Sequence, residues 1–331
     1  MVERVKWIDA VKGVGILLVI ASHISPIGYA WFWYLTYGFM PLFFVMAGFT
    51  CKPMGGVKMN IENKFKRLII PYFVYGLIFL FFSELLHEDT NFVHGLCGLL
   101  YGRYNLYPEG YSISYPLLEA CRDICPLWFL PCMFLAYTWV TIYDNVSSVN
   151  KKIFFAASVL LSILSSYKTI LLPWSVDTSF MAFLFILVGR YVKTKLRVDG
   201  TRKDLVYAIL LLLGYVILCK LNPHVNFSIG KYGDLVPWSV FLFFGIGVIE
   251  PLFLSFGFRF LASSRITSMF AYFGRHSLRL LCIHIFIARI VGYYDSYILF
   301  TISLIAICFV DAVLELIYKN TREQMSLVKY L

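Results

Sequence analysis

The chain has 331 residues, 60% of them hydrophobic and 18% aromatic, with only 15% charged and a formal net charge of +10. Soluble domains run at about 45–50% apolar and about 25% charged. A water-exposed globular fold is therefore excluded, and the excess apolar surface must face lipid. The basic residues sit in short clusters between apolar runs rather than along one polar face, which points to topology and anionic headgroups and away from nucleic acid.

In chain order, the N-terminus offers Arg4 and Lys6 followed by an apolar run from Val11. It looks superficially like a signal peptide. The run is long, contains His23 and lacks a small-residue cleavage site after it, so a retained first helix is expected. Apolar stretches long enough to span a ~30 Å core at ~1.5 Å per residue follow in a series. They fall at 12–32, 36–51, 68–86, 126–143, 153–169, 178–194, 204–221, 236–255, 273–292 and 297–317. The expected fold is an all-α polytopic membrane protein of about ten transmembrane helices, in one domain covering 1–331.

Charge placement gives the orientation. If the N-terminus is cytoplasmic and the helices alternate, most of the 29 Lys and Arg residues fall on the inner side. The outer segments then hold only Arg103, Arg122, Lys168, Lys220 and Lys231, and Lys12, Arg279 and Arg289 lie within helices. Such a bias predicts cytoplasmic N- and C-termini. The longest loop, at about 87–125, then falls outside. It carries acidic residues, His87, His94 and many Tyr and Gly residues, so a packed cap in contact with a carbohydrate is expected of it. The eight cysteines form no metal-ligand set. Cys97, Cys121 and Cys125 share the outer loop, where one disulfide or free thiols are both open readings.

Ionisable groups inside spanning helices are functional candidates, because they are costly unless paired or facing a polar cavity. The first helix reads Asp9-x-x-Lys12-x10-His23. Asp9 and Lys12 share a face and can pair, and His23 lies about three turns further in on the side of Lys12. A neutral histidine at that depth can take a proton from a hydroxyl nucleophile; the alternative is a packing histidine bonded to a carbonyl. The ninth helix adds Ser277 and, on the same face, His284, so a polar cavity between helices one and nine is expected. His276, at the end of that helix, reads as interfacial. Lys64, Lys66 and Arg67 precede the third helix, where three cations at a helix start form a phosphate site or simply mark the inner side. Asp177 follows Pro173-Trp174 as an N-cap or as a carboxylate for a sugar hydroxyl or a histidine. Asp311 and Glu315 are expected to partner nearby basic residues.

These residues resemble the acyltransferase type-three family of integral-membrane acyltransferases, with the fucose 4-O-acetylase-like branch the most similar. The segment Trp7 to His23 is similar to the family's basic-x10-His signature. Further similar blocks are Met40 to Phe49, Lys64 to Tyr72, Pro126 to Pro131 with Trp128, Pro173 to Gly189, and Gly274 to His284. They stand in family order over about 5–290. The resemblance implies transfer of an acyl group, usually acetyl from acetyl-CoA, to a hydroxyl of a cell-surface sugar, polysaccharide or lipid-linked glycan. It implies His23 as the essential histidine and Lys12 as its basic partner, with Ser277 and His284 in the same catalytic group. Lys64, Lys66 and Arg67 match the segment linked to CoA phosphates, while Asp177 and Trp128 are candidates for the acceptor. No metal is required. The implied setting is a multi-pass cell membrane protein of the bacterial inner membrane. Lys12 stands where most members have Arg and loses bidentate geometry; His276 replaces a more usual Asn. The rival reading is a transporter or flippase of lipid-linked glycan, which would favour broken helix pairs and an internal repeat; neither is visible. A structural scaffold ranks third.

Overall fold

A chain in lipid must satisfy its backbone hydrogen bonds within itself, and helices do so segment by segment. The computed structural model describes residues 5–24, 34–51, 56–85, 92–103, 127–167, 171–196, 200–291 and 297–321, and it is all-α. In chain order the helices are α1 (Lys6–Ile24), α2 (Phe39–Thr50), α3 (Val57–Lys64), α4 (Ile70–Leu85), α5 (Phe92–Tyr101) and α6 (Phe129–Asn145). They continue as α7 (Ser148–Leu164), α8 (Val176–Lys195), α9 (Arg202–Leu221), α10 (Trp238–Phe260), α11 (Arg265–Arg275), α12 (Ser277–Val291) and α13 (Tyr297–Thr321).

Among the described residues, five helical stretches are long and apolar enough to cross a membrane: Val57–Phe82, Ser148–Tyr167, Pro173–Lys195, Arg202–Leu221 and Trp238–Phe260. Tyr34–Thr50 and Ser277–Ile287 are apolar but shorter. On α9, Leu210, Leu213 and Ile217 are exposed, as are Leu160 and Leu164 on α7. Apolar faces of this kind are the ones lipid covers.

Three boundaries differ from the sequence reading for physical reasons. The third helix starts at Val57 rather than near 68, because the polar segment Val57–Lys64 continues without a break through a π turn at Phe65–Ile69 into α4. The ninth span is divided at His276, which ends α11 before α12 begins. The 87–125 loop expected on the outside contains a helix, α5, and is described over 92–103; Cys121, Cys125, His87 and its acidic residues lie outside the described residues, as does the side chain of His94. Cys97 is a free thiol.

The chain divides into two compact units. One comprises 1–51, 185–225 and 232–316; the other comprises 52–184, 226–231 and 317–331.

In the first unit, α1 meets α11 through two glycines. A Cβ on Gly13 would overlap the Phe270 carbonyl, and one on Gly274 would overlap the Asp9 carbonyl. The two backbones are therefore in direct contact, the close approach that small residues permit in membrane helices. Ten residues further along each chain segment, His23 and His284 meet with ring centroids 5.4 Å apart. Contacts advance together along both segments, so α1 runs parallel to the α11–α12 pair in one constant register. Gly48 and Gly189 make a second such contact between α2 and the end of α8. Replacing Gly13 or Gly274 with Val is expected to cost at least the ~1–3 kcal/mol typical of overpacking, because backbone, not a flexible side chain, occupies the space. Thermal unfolding in detergent measures this; unchanged stability would refute the contact.

In the second unit, side chains from several helices fasten to backbone carbonyls. Tyr72 Oη donates to the Leu99 carbonyl at 2.5 Å, Tyr101 Oη to Leu171 at 2.7 Å, and Trp174 Nε1 to Leu100 at 2.9 Å. These bonds tie α5 to α4 and to the turn that precedes α8.

Candidate active site

The register of α1 and α12 sets the geometry of the histidine pair. His284 is fully buried, and its Nδ1 lies 2.8 Å from the Leu281 carbonyl and 3.1 Å from that of Leu280. A carbonyl only accepts, so Nδ1 carries the hydrogen and, in the neutral ring, Nε2 carries the lone pair. That Nε2 is buried and has no hydrogen-bond partner among the described residues. The His23 ring lies beside that of His284, with centroids 5.4 Å apart and planes tilted by 42°. One imidazole from α1 and one from α12 thus lie side by side, on the two segments between which the sequence led to the expectation of a polar cavity.

Helix rise separates the other proposed members of this group. Ser277 lies seven residues before His284, about 10 Å down the axis, and Lys12 lies eleven before His23, about 17 Å. An oxyanion donor must sit ~2.7–3.1 Å from the developing charge. By helix rise alone, Ser277 and Lys12 both lie beyond that reach from a carbonyl held at the histidines. Lys12 and Asp9 both remain engaged in the structure.

Just before α12, an ionic cluster holds the start of that helix. Arg279 Nε donates to Asp311 Oδ1 at 3.0 Å and its Nη2 to Glu315 Oε2 at 2.7 Å. His276 Nδ1 lies 2.8 Å from Asp311 Oδ2 and also contacts the Arg279 guanidinium, while Tyr272 stacks on its ring at 4.6 Å. Asp311 and Glu315 thus partner basic residues, as their spacing suggested. His276 belongs to this cluster rather than to a bare interface.

One buried carboxylate escaped the sequence reading. Glu250, in the middle of α10, is 2% exposed and lies 2.9 Å from Tyr215 Oη, which also donates to the Tyr34 carbonyl at 2.6 Å. A Cβ on Gly38 would strike the Glu250 carboxylate, so the glycine makes room for it at the start of α2. An ionisable group in a spanning stretch was itself the available signal.

In the second unit, the basic segment differs from expectation. Lys64, Lys66 and Arg67 lie inside a continuous helix beginning at Val57, so no free helix N-terminus aids anion binding there. The ammonium of Lys64 sits 3.5 Å over the Tyr137 ring, a cation–π contact. Lys66 and Arg67 are exposed, on a π turn that widens the helix at that point.

Asp177 is neither an N-cap nor an open carboxylate. It is buried against the guanidinium of Arg103, whose other nitrogens donate to the Leu172 carbonyl at 3.1 Å and to the Ser228 carbonyl. Trp174 and Ser175, just ahead, adopt the left-handed region with φ of 55° and 59°, unusual for residues with a side chain. The indole of Trp174 packs against Gly102, where a Cβ would crowd it. Trp128 is 6% exposed and packed edge-on against Phe129 and Phe227, with centroids 6.3 and 6.1 Å away. Asp177 and Trp128 are thus both buried and packed against partners within the second unit. Among the described residues, no three His, Cys, Asp or Glu side chains group as metal ligands.

Residues 5–314 match the family model described as an acyltransferase domain, Acyl_transf_3. Comparison with curated proteins and with solved structures gave no match.

Proposed function

Because the chain belongs to the acyltransferase 3 family, and is a multi-pass membrane acyltransferase, we propose that it is an O-acetyltransferase carrying acetyl from acetyl-CoA to a hydroxyl of a cell-surface sugar or glycan. The proposal extends to the fucose 4-O-acetylase-like branch, to ten spans with cytoplasmic termini, and to the bacterial inner membrane. The parallel sense of α1 and α12 agrees with alternation between a first and a ninth span.

The observation that carries this reading is the pair of adjacent imidazoles within the matched domain. An alcohol is a poor nucleophile until a base takes its proton as it attacks the thioester carbonyl. His23 is that base. The hydroxyl oxygen bonds to the acetyl carbon, the carbon–sulfur bond breaks, and the proton held by His23 passes to the departing thiolate of CoA. Binding of the CoA phosphates is assigned, within the second unit, to Lys66 and Arg67, the exposed cations of the basic segment.

A hydrogen bond to a charged group contributes about 1.5–3 kcal/mol, less where solvent screens it. Arg67→Ala is therefore expected to raise KM for acetyl-CoA roughly five- to tenfold, with kcat little changed. With acetyl-pantetheine, a thioester lacking the nucleotide phosphates, the difference should vanish. An equal penalty with both donors would remove Arg67 from phosphate binding.

A further inference from the structure

His284 has one nitrogen committed and one left over. Its Nδ1–H is held by the carbonyls of its own helix, and its buried Nε2 lone pair has no partner among the described residues. Leaving an acceptor buried and unpaired is costly, and such groups call for an explanation. The neighbouring ring is His23, in contact but not hydrogen-bonded. In the resting protein, then, an acceptor waits beside the residue that becomes a cation during the reaction.

We infer that His284 is a positioning residue for His23, receiving on Nε2 the second N–H of the His23 ring. This rests on the reading of His23 as the base. When the hydroxyl proton moves to one nitrogen of His23, the ring becomes an imidazolium with two N–H donors. One N–H faces the reacting oxygen and later the thiolate; the other turns onto His284 Nε2. That bond is charge-assisted, and such bonds are about twice as strong as neutral ones. It also selects the His23 tautomer whose bare nitrogen faces the acceptor, the service a carboxylate performs in a Ser–His–Asp triad. Here the orienting acceptor is a second imidazole whose own tautomer is locked by the Leu281 carbonyl. No proton is gained or lost overall: the hydroxyl loses one, the thiolate receives it, and His284 ends as it began.

The two nitrogens of His284 can be tested separately. Asn places an amide near the Nδ1 position and keeps the bond to the helix carbonyls, but deletes the acceptor at Nε2. Gln reaches the Nε2 position with its amide oxygen and forfeits the helix bond. In purified full-length protein, with CoA release from acetyl-CoA as readout, H284N is expected to lose about 10²-fold in kcat at unchanged KM for the donor. H284Q should recover at least tenfold of that loss. The reverse order, or equal activity in the two variants, would overturn the assignment and leave His284 as a packing residue. A wild type that releases no CoA would instead overturn acetyl transfer from CoA, and the assignment with it; that failure is recognised because it precedes any variant.

Discussion

Replacing His23 with Ala is expected to lower acetyl-CoA turnover by about 10²–10⁴-fold, the range in which positioned general bases act, while the protein still folds and binds its donor. The expectation follows from the place of His23 on α1. It lies three turns beyond Lys12, on a helix whose backbone meets α11 at Gly13 and Gly274, and its ring contacts His284. The ring sits near the end of α1 and, among the described residues, makes no hydrogen bond to a backbone carbonyl, in contrast to His284. Truncating it removes a base without removing a fastening of the fold. The check is kcat beside a donor-binding isotherm at matched folded yield. Turnover unchanged in H23A would return the residue to helix packing.

Asp177→Ala is expected to produce the largest loss of stability. Both side chains of the Arg103–Asp177 pair are almost wholly buried, at 1% and 2% exposed. Removing one partner of a buried pair strands the other charge, at a cost of about 3–5 kcal/mol. The guanidinium would keep its bonds to Leu172 and Ser228 but lose its counter-charge. Because those carbonyls flank the left-handed Trp174–Ser175 turn and the Asn226–Lys231 bridge, the second unit should loosen there first. Unfolding in detergent should shift to markedly lower temperature in D177A. The double variant R103M/D177L, which removes both charges, should recover part of the loss. A D177A protein as stable as wild type would contradict the burial of the pair.

Features carried by one residue in an unfavourable environment were legible in the sequence. His23 and His284 stand out because an apolar helix has little reason to hold a histidine, and the two rings do lie together. Asp311 and Glu315 invite basic partners by their own four-residue spacing, and Arg279 and His276 supply them. Glu250 carried the same signal and was passed over amid the apolar residues of its span.

What depends on two distant segments was not legible. Nothing local joins Arg103 to Asp177, 74 residues apart, so Asp177 read as a cap or a ligand. Trp128 offered an aromatic face in the sequence, but Phe129 and Phe227 cover it. The glycines at 13 and 274 are visible as small residues, yet only their mutual contact fixes α1 parallel to α11 and α12. The basic segment reads as a helix start because the apolar run begins only near 68, whereas the polar residues Val57–Lys64 continue the helix through the π turn into α4.

The central claim is that this membrane acyltransferase moves acetyl from CoA to a sugar hydroxyl. The most direct measurement supplies acetyl-labelled CoA to the purified protein in lipid vesicles containing an envelope glycan fraction. The account predicts label in an alkali-labile ester on the glycan, in equal amount with CoA released, and neither product in H23A. No label transferred and no CoA released, with the glycan instead crossing the bilayer, would contradict it and identify a transporter.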